Sequence, residues 1–148
     1  MSMTTVVIFV VLILTAGLGI AAWNRRKRKR AFFASHSIDP EQLHAILFGT
    51  NETNPVQVLD VRQPLDLLAY SEIIPGSRRI PPKEILESAE LLLKDHDTVV
   101  YCTCPSDETA GKIMQKAVSL GFAKVKVLRG GLNAWKAKNY PTHTGLTP

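Results

Sequence analysis

The first thirty residues constrain the chain more than any other segment. Residues 4–23 form a run of twenty positions without a charged side chain, rich in Val, Ile and Leu. A helix of that length measures roughly 30 Å, which matches the hydrocarbon thickness of a bilayer. Trp23 lies at the end of the run, where an aromatic ring suits the membrane–water interface. We therefore predict a transmembrane helix over residues 4–23.

A basic segment follows this run at once. Residues 25–30 are all Arg or Lys and hold 6 of the 18 basic residues of the chain. The other 12 face all 13 acidic residues, so residues 31–148 have a formal net charge of −1. The positive-inside rule places such a segment in the cytoplasm, where anionic lipid headgroups attract it. We expect a juxtamembrane linker over residues 24–35 and a single-pass protein of a bacterial inner membrane, with its soluble domain in the cytoplasm.

Two other interpretations of these residues compete with a membrane anchor. A secretory signal peptide carries positive charge before its apolar run, whereas this chain begins Met-Ser-Met-Thr-Thr. The run is also long for a signal peptide, although the small residues among positions 16–22 leave cleavage open. Basic runs occur in nucleic-acid-binding proteins as well, but no aromatic residues are interleaved here for base stacking. We expect membrane lipid, through residues 4–30, and no nucleic acid as a partner.

The rest of the chain alternates strands and helices. Asp39, Pro40 and Gln42 predict a helix start, and Gly49 predicts the end of that helix. Further helices are predicted over residues 64–70, 82–93, 108–120 and around Trp135, and strands over residues 56–59, 79–80, 98–101 and 125–128. Residues 31–37 are predicted as a connector and residues 51–55 as a turn-rich link. This order favours an α/β domain over residues 36–148, with a parallel sheet and helices on both faces.

Cys102 lies where such a fold concentrates functional groups. It directly follows the strand at residues 98–101, and Ser106 or Asp107 can cap the helix that comes next. Ligands and reactive groups gather beyond the carboxyl ends of parallel strands, and Asp60 lies at another such end. The free N–H groups and positive dipole of a helix start favour a thiolate, so we expect the pKa of Cys102 to be lowered. A buried structural cysteine is the alternative from position alone.

Four motifs resemble the successive signatures of the rhodanese superfamily. They read Val-Leu-Asp-Val-Arg at residues 58–62, Ile-Pro-Gly-Ser at 74–77, Val-Val-Tyr-Cys at 99–102 and Val-Leu-Arg-Gly-Gly-Leu-Asn-Ala-Trp at 127–135. Their order and spacing are those of the family, and the resemblance covers residues 36–142. It implies a rhodanese-like α/β domain around a central parallel sheet of about five strands.

The resemblance also implies a sulfurtransferase. Cys102 is then the catalytic nucleophile that takes a sulfane sulfur from a donor, such as thiosulfate or a persulfide. It holds that sulfur as a persulfide and passes it to a thiol acceptor, which can itself be a protein. The substrate-binding loop implied by the resemblance comprises Thr103, Cys104, Ser106, Asp107, Glu108 and Thr109, with Asp60 and Arg62 in support. No cofactor and no metal is expected, since structural zinc usually takes four ligands and the loop holds no His.

Three positions depart from the family pattern. Ile73 stands where the family often has a His, and the loop over residues 102–109 is one residue longer than the commonest rhodanese loop. A longer loop is associated with phosphatase and arsenate-reductase relatives, which keep an Arg late in the loop to hold an oxyanion. This chain has Asp107 and Glu108 there. Because a phosphate dianion would lose its guanidinium partner, we disfavour a phosphatase and expect thiosulfate to be a poor donor.

Several roles and functions stay open at the level of sequence. Cys104 can resolve a persulfide or sulfenic acid on Cys102, or it can simply fill space in the loop. Asp60 and Arg62 can form a pair that pins a strand end without taking part in catalysis. The domain can also be a non-catalytic interaction module, because fold does not dictate function, or a thiol redox protein that uses Cys102 and Cys104. The cysteine at the nucleophile position favours the enzyme.

Overall fold

The chain divides into two units, residues 1–35 and residues 36–148. A computed structural model describes residues 3–49, 56–88, 92 and 96–144. The predicted link over residues 51–55 therefore lies outside the described residues, as do Ala89 and Leu93 of the predicted helix after Pro82. The two units are described separately.

The first unit is a single helix, α1, over Met3–Ser35. None of its residues is buried, and its apolar part is long enough to cross a membrane, which makes α1 a candidate membrane span. The helix continues through the basic segment and through most of the predicted connector at residues 31–37. Lys, Arg and Ala are good helix formers, and residues 24–35 contain neither Gly nor Pro to end the helix. The predicted connector at residues 31–37 is thus helical through Ser35.

The second unit is built on a five-stranded parallel sheet. Including a separate two-stranded antiparallel sheet, the strands in chain order are β1 Ser37–Ile38, β2 Val56–Asp60, β3 Glu72–Ile73, β4 Arg78–Arg79, β5 Asp97–Tyr101, β6 Val125–Leu128 and β7 His143–Thr144. The large sheet has the order β1-β6-β5-β2-β4, and β3 pairs with β7. The predicted α/β class and five-stranded parallel sheet are confirmed, and β5 occupies the centre of the sheet.

Within the described residues of the second unit, five helices accompany these strands. They are α2 Pro40–Phe48, α3 Pro64–Ala69, α4 Pro82–Glu87, α5 Glu108–Ser119 and α6 Gly131–Ala137. Three of them begin at a proline, whose fixed backbone angle suits the first helical position. At α2 the predicted capping arrangement forms, with the Asp39 N–H donating to the Gln42 side chain at 3.1 Å.

Helices cover both faces of the parallel sheet. On one face, the side chains of Val58, Val99 and Tyr101 pack in a cluster with Leu43 of α2 and Trp135 of α6. Successive strand residues point to opposite faces, so the buried residues Leu59, Val100 and Val127 of β2, β5 and β6 face the other side. There α5 contacts β5 and β6 and buries Ile113, Met114 and Ala117. The sheet is therefore enclosed, as parallel sheets usually are.

Some predicted boundaries were wrong. The strand expected at residues 79–80 lies at Arg78–Arg79, and the two-residue strands β1, β3 and β7 were not predicted. The helix predicted from Pro82 to Leu93 ends at Glu87, because Ser88 has an extended backbone with φ of −135°. Serine competes for backbone hydrogen bonds and so stops helices more readily than the aliphatic residues around it.

A buried ion pair ties the end of β2 to the segment that follows α3. Asp60 and Arg62 are both fully buried, and the Arg62 Nε lies 2.9 Å from each Asp60 carboxylate oxygen. The other two guanidinium nitrogens donate to the backbone carbonyls of Tyr70 at 2.8 Å and Glu72 at 3.0 Å. All three nitrogens of Arg62 thus have acceptors inside the domain. The pair therefore holds the end of β2 against the segment that follows α3.

We predict that Arg62→Met destabilises the domain by about 3–5 kcal/mol, because it leaves the Asp60 carboxylate buried without a partner. Equilibrium urea unfolding of the full chain in detergent micelles measures this. A Trp23→Phe background makes Trp135 the fluorescent reporter.

The matched control for this experiment is Lys83→Met, which breaks an exposed pair with Glu87. That change should alter stability by less than about 0.5 kcal/mol. Similar small effects of both substitutions would contradict the role assigned to the buried pair.

Candidate active site

The candidate site lies at the carboxyl end of β5, where a loop over residues 102–107 leads into α5. Cys102 is 1 % exposed, whereas Cys104, two residues further on, is partly exposed. The Cys102 carbonyl accepts a hydrogen bond from the Leu132 N–H at 3.0 Å. The first turn of α6 is thereby held against the first residue of the loop.

Two glycines make this close approach possible. Gly130 and Gly131 have φ angles of +71° and +53°, a region that other residues rarely adopt. A Cβ atom at Gly131 would overlap the Cys102 carbonyl group. In the sequence these two glycines stand out only as part of the motif at residues 127–135. The structure adds that Gly131 must lack a side chain for the backbone of Cys102 to pack against α6.

The two thiols of the loop are in contact. The Cys102 thiol donates a hydrogen bond to the Cys104 sulfur, and the N–H groups of Ala110 and Cys104 point at the Cys102 sulfur. Burial, together with the neighbouring Cys104 sulfur, raises the pKa of Cys102 to about 12, and the two N–H donors offset only part of this. The predicted lowering of the Cys102 pKa is therefore wrong. The helix start does supply donors, but loss of hydration outweighs them.

The anionic form is instead favoured at Cys104. Its partial burial raises the pKa, but hydrogen bonds from the Cys102 thiol and from the backbone N–H and hydroxyl of Thr109 more than offset that effect. The net result is a pKa below the ordinary value for a cysteine. Of the two thiols, Cys104 is therefore the one whose ionisation the surrounding groups favour.

Asp107 points into the domain. It is 5 % exposed, has a left-handed backbone with φ of 51°, and accepts a hydrogen bond from the Gly130 N–H at 2.7 Å. Its second carboxylate oxygen, Oδ1, has no hydrogen-bond partner within the described part of the chain. Burial raises the pKa of Asp107, although the Gly130 N–H opposes this. Asp107 stands at the N-cap position of α5, but its side chain does not make the predicted cap because it bonds Gly130 instead.

The remaining loop residues lie further out. Glu108 is exposed and pairs with Lys112 at 2.7 Å, one turn along α5. Ser106 is exposed, and Thr103, whose carbonyl accepts a hydrogen bond from the Asn133 side chain at 3.3 Å, is partly buried. The predicted loop residues therefore separate into two that point inward, Cys102 and Asp107, and others that reach the surface.

Tyr101 was not singled out by the sequence analysis. It is fully buried on the cluster face of β5, and its hydroxyl accepts a hydrogen bond from the Ile74 N–H at 3.3 Å and shares another with Ser77 at 3.0 Å. Its backbone carbonyl accepts from the Val61 N–H at 3.0 Å. Tyr101 thus joins the Ile-Pro-Gly-Ser turn to the strand end that carries Cys102. The only signal in the sequence is a polar aromatic residue at the end of an apolar strand.

Known proteins share this architecture. Residues 39–138 match the family model "Rhodanese-like domain". A protein called "Sulfurtransferase" from Allochromatium vinosum is 30% identical over 108 residues, which span 72% of this chain and 92% of the relative.

Solved structures agree with this match. A full-length protein from Lactobacillus plantarum superposes with a TM-score of 0.68 at 24% identity, and the superposition covers 82% of this chain and 98% of that protein. A thiosulfate sulfurtransferase from Pseudomonas aeruginosa gives a TM-score of 0.57 at 25% identity, covering 74% of this chain and 19% of its own. With an enclosed parallel sheet, a cysteine at the end of its central strand and a family match over residues 39–138, this chain belongs to the rhodanese-like domain family.

Proposed function

We propose that the protein is a membrane-anchored sulfurtransferase that carries sulfane sulfur as a persulfide on Cys102. The observation that carries this proposal is the position of Cys102 at the end of β5, with the N–H groups of Ala110 and Cys104 directed at its sulfur. The similarity to a sulfurtransferase supports the reaction class. A sulfurtransferase needs a sulfur donor and a thiol acceptor, and either of them can be a protein.

The site chemistry suits a persulfide better than a free thiolate. A persulfide ionises more readily than a thiol, so a sulfur added to Cys102 brings a negative charge to backbone donors that are already in place. Because Cys102 is only 1 % exposed, an acceptor has to reach the added sulfur rather than the Cys102 sulfur itself. In the reaction, a thiolate of the site attacks the outer sulfur of a donor persulfide, forming a new S–S bond and releasing the donor thiolate. An acceptor thiolate later attacks the outer sulfur and restores the free cysteine.

A thiol redox protein is the second candidate function, because the Cys102 and Cys104 side chains are hydrogen-bonded to one another. Oxidation of the pair would join the two sulfurs as a disulfide and remove two hydrogens. A disulfide closing across one intervening residue is geometrically demanding, which favours sulfur transfer over reversible oxidation.

We further propose that Asp107 selects against dianionic donors. Its buried carboxylate lies in the loop that begins at Cys102, and one of its oxygens has no partner in the described residues. Thiosulfate carries two negative charges, whereas a persulfide group carries one at most. The carboxylate repels a dianion more strongly, and low solvent exposure limits the screening of that repulsion. A persulfide is therefore the preferred donor class.

The membrane anchor is proposed from α1 and its charges. The exposed apolar side chains of residues 4–23 match a bilayer span, and residues 25–30 follow as an uninterrupted cationic part of the same helix. The positive-inside rule then places residues 36–148 in the cytoplasm. A reducing cytoplasm would keep Cys102 and Cys104 as the thiols that the proposed chemistry needs.

The first prediction concerns the sulfur carrier. In the full chain in detergent micelles, Cys102→Ser should abolish the persulfide that glutathione persulfide forms at position 102 and should slow transfer to a thiol acceptor about tenfold, because the storage cysteine is lost. Tandem mass spectrometry should place the sulfur on Cys102 in the unchanged chain.

Two outcomes would contradict the proposed carrier. An unchanged chain that binds no sulfur under these conditions would fit an interaction module. A chain that instead loses two hydrogens and joins its two cysteines would fit the redox protein.

The second prediction concerns the donor. Asp107→Asn keeps an acceptor for the Gly130 N–H but removes the charge, and should raise kcat/KM for thiosulfate about tenfold, as expected for a roughly 1.4 kcal/mol repulsion. Because the carboxylate is buried, this gain should depend little on salt concentration, and it should be absent with glutathione persulfide.

Glu108→Gln is the control for this donor test, because it removes the same charge from the exposed surface of α5 and should change kcat/KM by less than about twofold. Efficient use of thiosulfate by the unchanged chain would refute this selection.

The third prediction concerns topology. In a Gram-negative host, a tag placed after Pro148 should resist protease when only the outer membrane is opened, and should be digested once the inner membrane is lysed. Replacing residues 25–30 by six Gln should expose the tag in a substantial share of molecules, because the charge asymmetry is lost. Digestion of the tag on the unchanged chain while the inner membrane is intact would contradict the cytoplasmic orientation. Release from the membrane of a chain from which residues 4–23 have been cleaved would contradict the anchor.

A further inference from the structure

The two cysteines of the loop differ in access. Cys102 is 1 % exposed, whereas Cys104 is partly exposed, and the Cys102 thiol donates its hydrogen bond to the Cys104 sulfur. A donor arriving from solution therefore meets the Cys104 sulfur first. Cys102, in contrast, remains a protonated thiol, because its pKa is raised.

The Cys104 sulfur is also the one of the two whose nucleophilic thiolate form is favoured. Four hydrogen-bond donors favour its ionised form: the Cys102 thiol, the N–H and the hydroxyl of Thr109, and the N–H of Cys104 itself. Such donors hold a thiolate, and thiolates rather than thiols attack sulfane sulfur. The structure thus separates two properties that the sequence analysis assigned together to Cys102, namely reactivity toward the donor and protected storage of the product.

We propose that Cys104 is the entry thiol, which accepts sulfane sulfur from a donor persulfide and transfers it to Cys102 for storage. This inference rests on the proposed function and deepens it. The donor class is a small or protein-bound persulfide.

The two steps balance without an oxidant or a reductant. First, the Cys104 thiolate attacks the outer sulfur of the donor, which forms a Cys104 Sγ–S bond, breaks the donor S–S bond and releases the donor thiolate. Next, the Cys102 sulfur attacks the same sulfur atom. The Cys102 Sγ–S bond forms as the Cys104 Sγ–S bond breaks, and the Cys102 proton passes to Cys104 along the hydrogen bond that already joins them. The sulfane sulfur keeps its oxidation state throughout.

Time-resolved loading of the full chain in detergent micelles tests this order. The chain is mixed with glutathione persulfide, quenched by alkylation and fragmented in a mass spectrometer to separate positions 102 and 104. Sulfur should appear on Cys104 before Cys102. Cys102→Ser should retain sulfur on Cys104. Cys104→Ser should load Cys102 at least about tenfold more slowly but to the same final occupancy, because the remaining thiol is buried and protonated.

A second variant leaves both cysteines in place. Thr109→Val removes the hydroxyl donor, which destabilises the Cys104 thiolate and raises its pKa. The pH midpoint of the first loading phase should therefore move to higher pH, while final occupancy stays the same. Thr144→Val, the same chemical change on the exposed strand β7, should leave the midpoint where it is. Equal midpoints for Thr109→Val and the unchanged chain would count against the inference.

The possible failures can be told apart. If Cys104→Ser loads Cys102 at the unchanged rate, or if Cys102→Ser never holds sulfur, Cys104 is not the entry thiol and the proposed function stands without it. Release of sulfide with formation of a Cys102–Cys104 disulfide would make Cys104 a resolving thiol and would also overturn the inference. Uptake of no sulfur at either position in the unchanged chain would refute both the inference and the proposed function.

Discussion

The parallel pairing of β5 with β2 on one side and β6 on the other determines where the groups of the candidate site lie. Asp60 pairs with Tyr101 at the ends of β2 and β5, and Val100 pairs with Val127 of β6. All three strands end at one edge of the sheet. Cys102 follows one strand, the buried Asp60–Arg62 pair closes the second, and the Gly130–Gly131 turn follows the third. A shift of this register would separate the loop from the glycine turn that contacts it.

The hydrogen-bond donors around the two sulfurs of the loop are backbone and hydroxyl groups rather than a cationic side chain. The Ala110 N–H serves Cys102, Thr109 serves Cys104, and a carboxylate occupies the late part of the loop. Without a guanidinium group, such a loop suits a persulfide, whose charge lies on one sulfur, better than an oxyanion such as phosphate. This preference agrees with a protein that exchanges sulfur between persulfides and thiols, and it distinguishes the loop from one that binds phosphate through an Arg.

Much of this fold could be predicted from local sequence. Runs such as Thr98–Tyr101 indicate buried strands, and Asp39-Pro40 and Pro82 mark helix starts by chemistry that acts within a few residues. The two-residue strands β1, β3 and β7 could not be predicted, because pairing across the sheet defines them and two residues carry no periodicity. The position of Cys102 was predictable as well, because it directly follows the apolar run of β5.

The electrostatics of the site were much less predictable. The raised pKa of Cys102 depends on burial by α6 and on its contact with Cys104, both of which require tertiary structure. The inward orientation of Asp107 depends on a left-handed backbone and on the Gly130 N–H, 23 residues away in the sequence. Glu108, the next residue and also a carboxylate, is exposed on α5. No pattern of residue types separates these two carboxylates.

The central claim is that this domain carries sulfur on Cys102, and the most direct test is the intact mass of the full chain purified from cells under thiol-free conditions. We expect a population heavier by one sulfur atom that cyanide returns to the unmodified mass. Tandem fragmentation should assign the added atom to Cys102. A chain that is never heavier by a sulfur atom, even after its cells are supplied with a sulfane donor, would contradict the account.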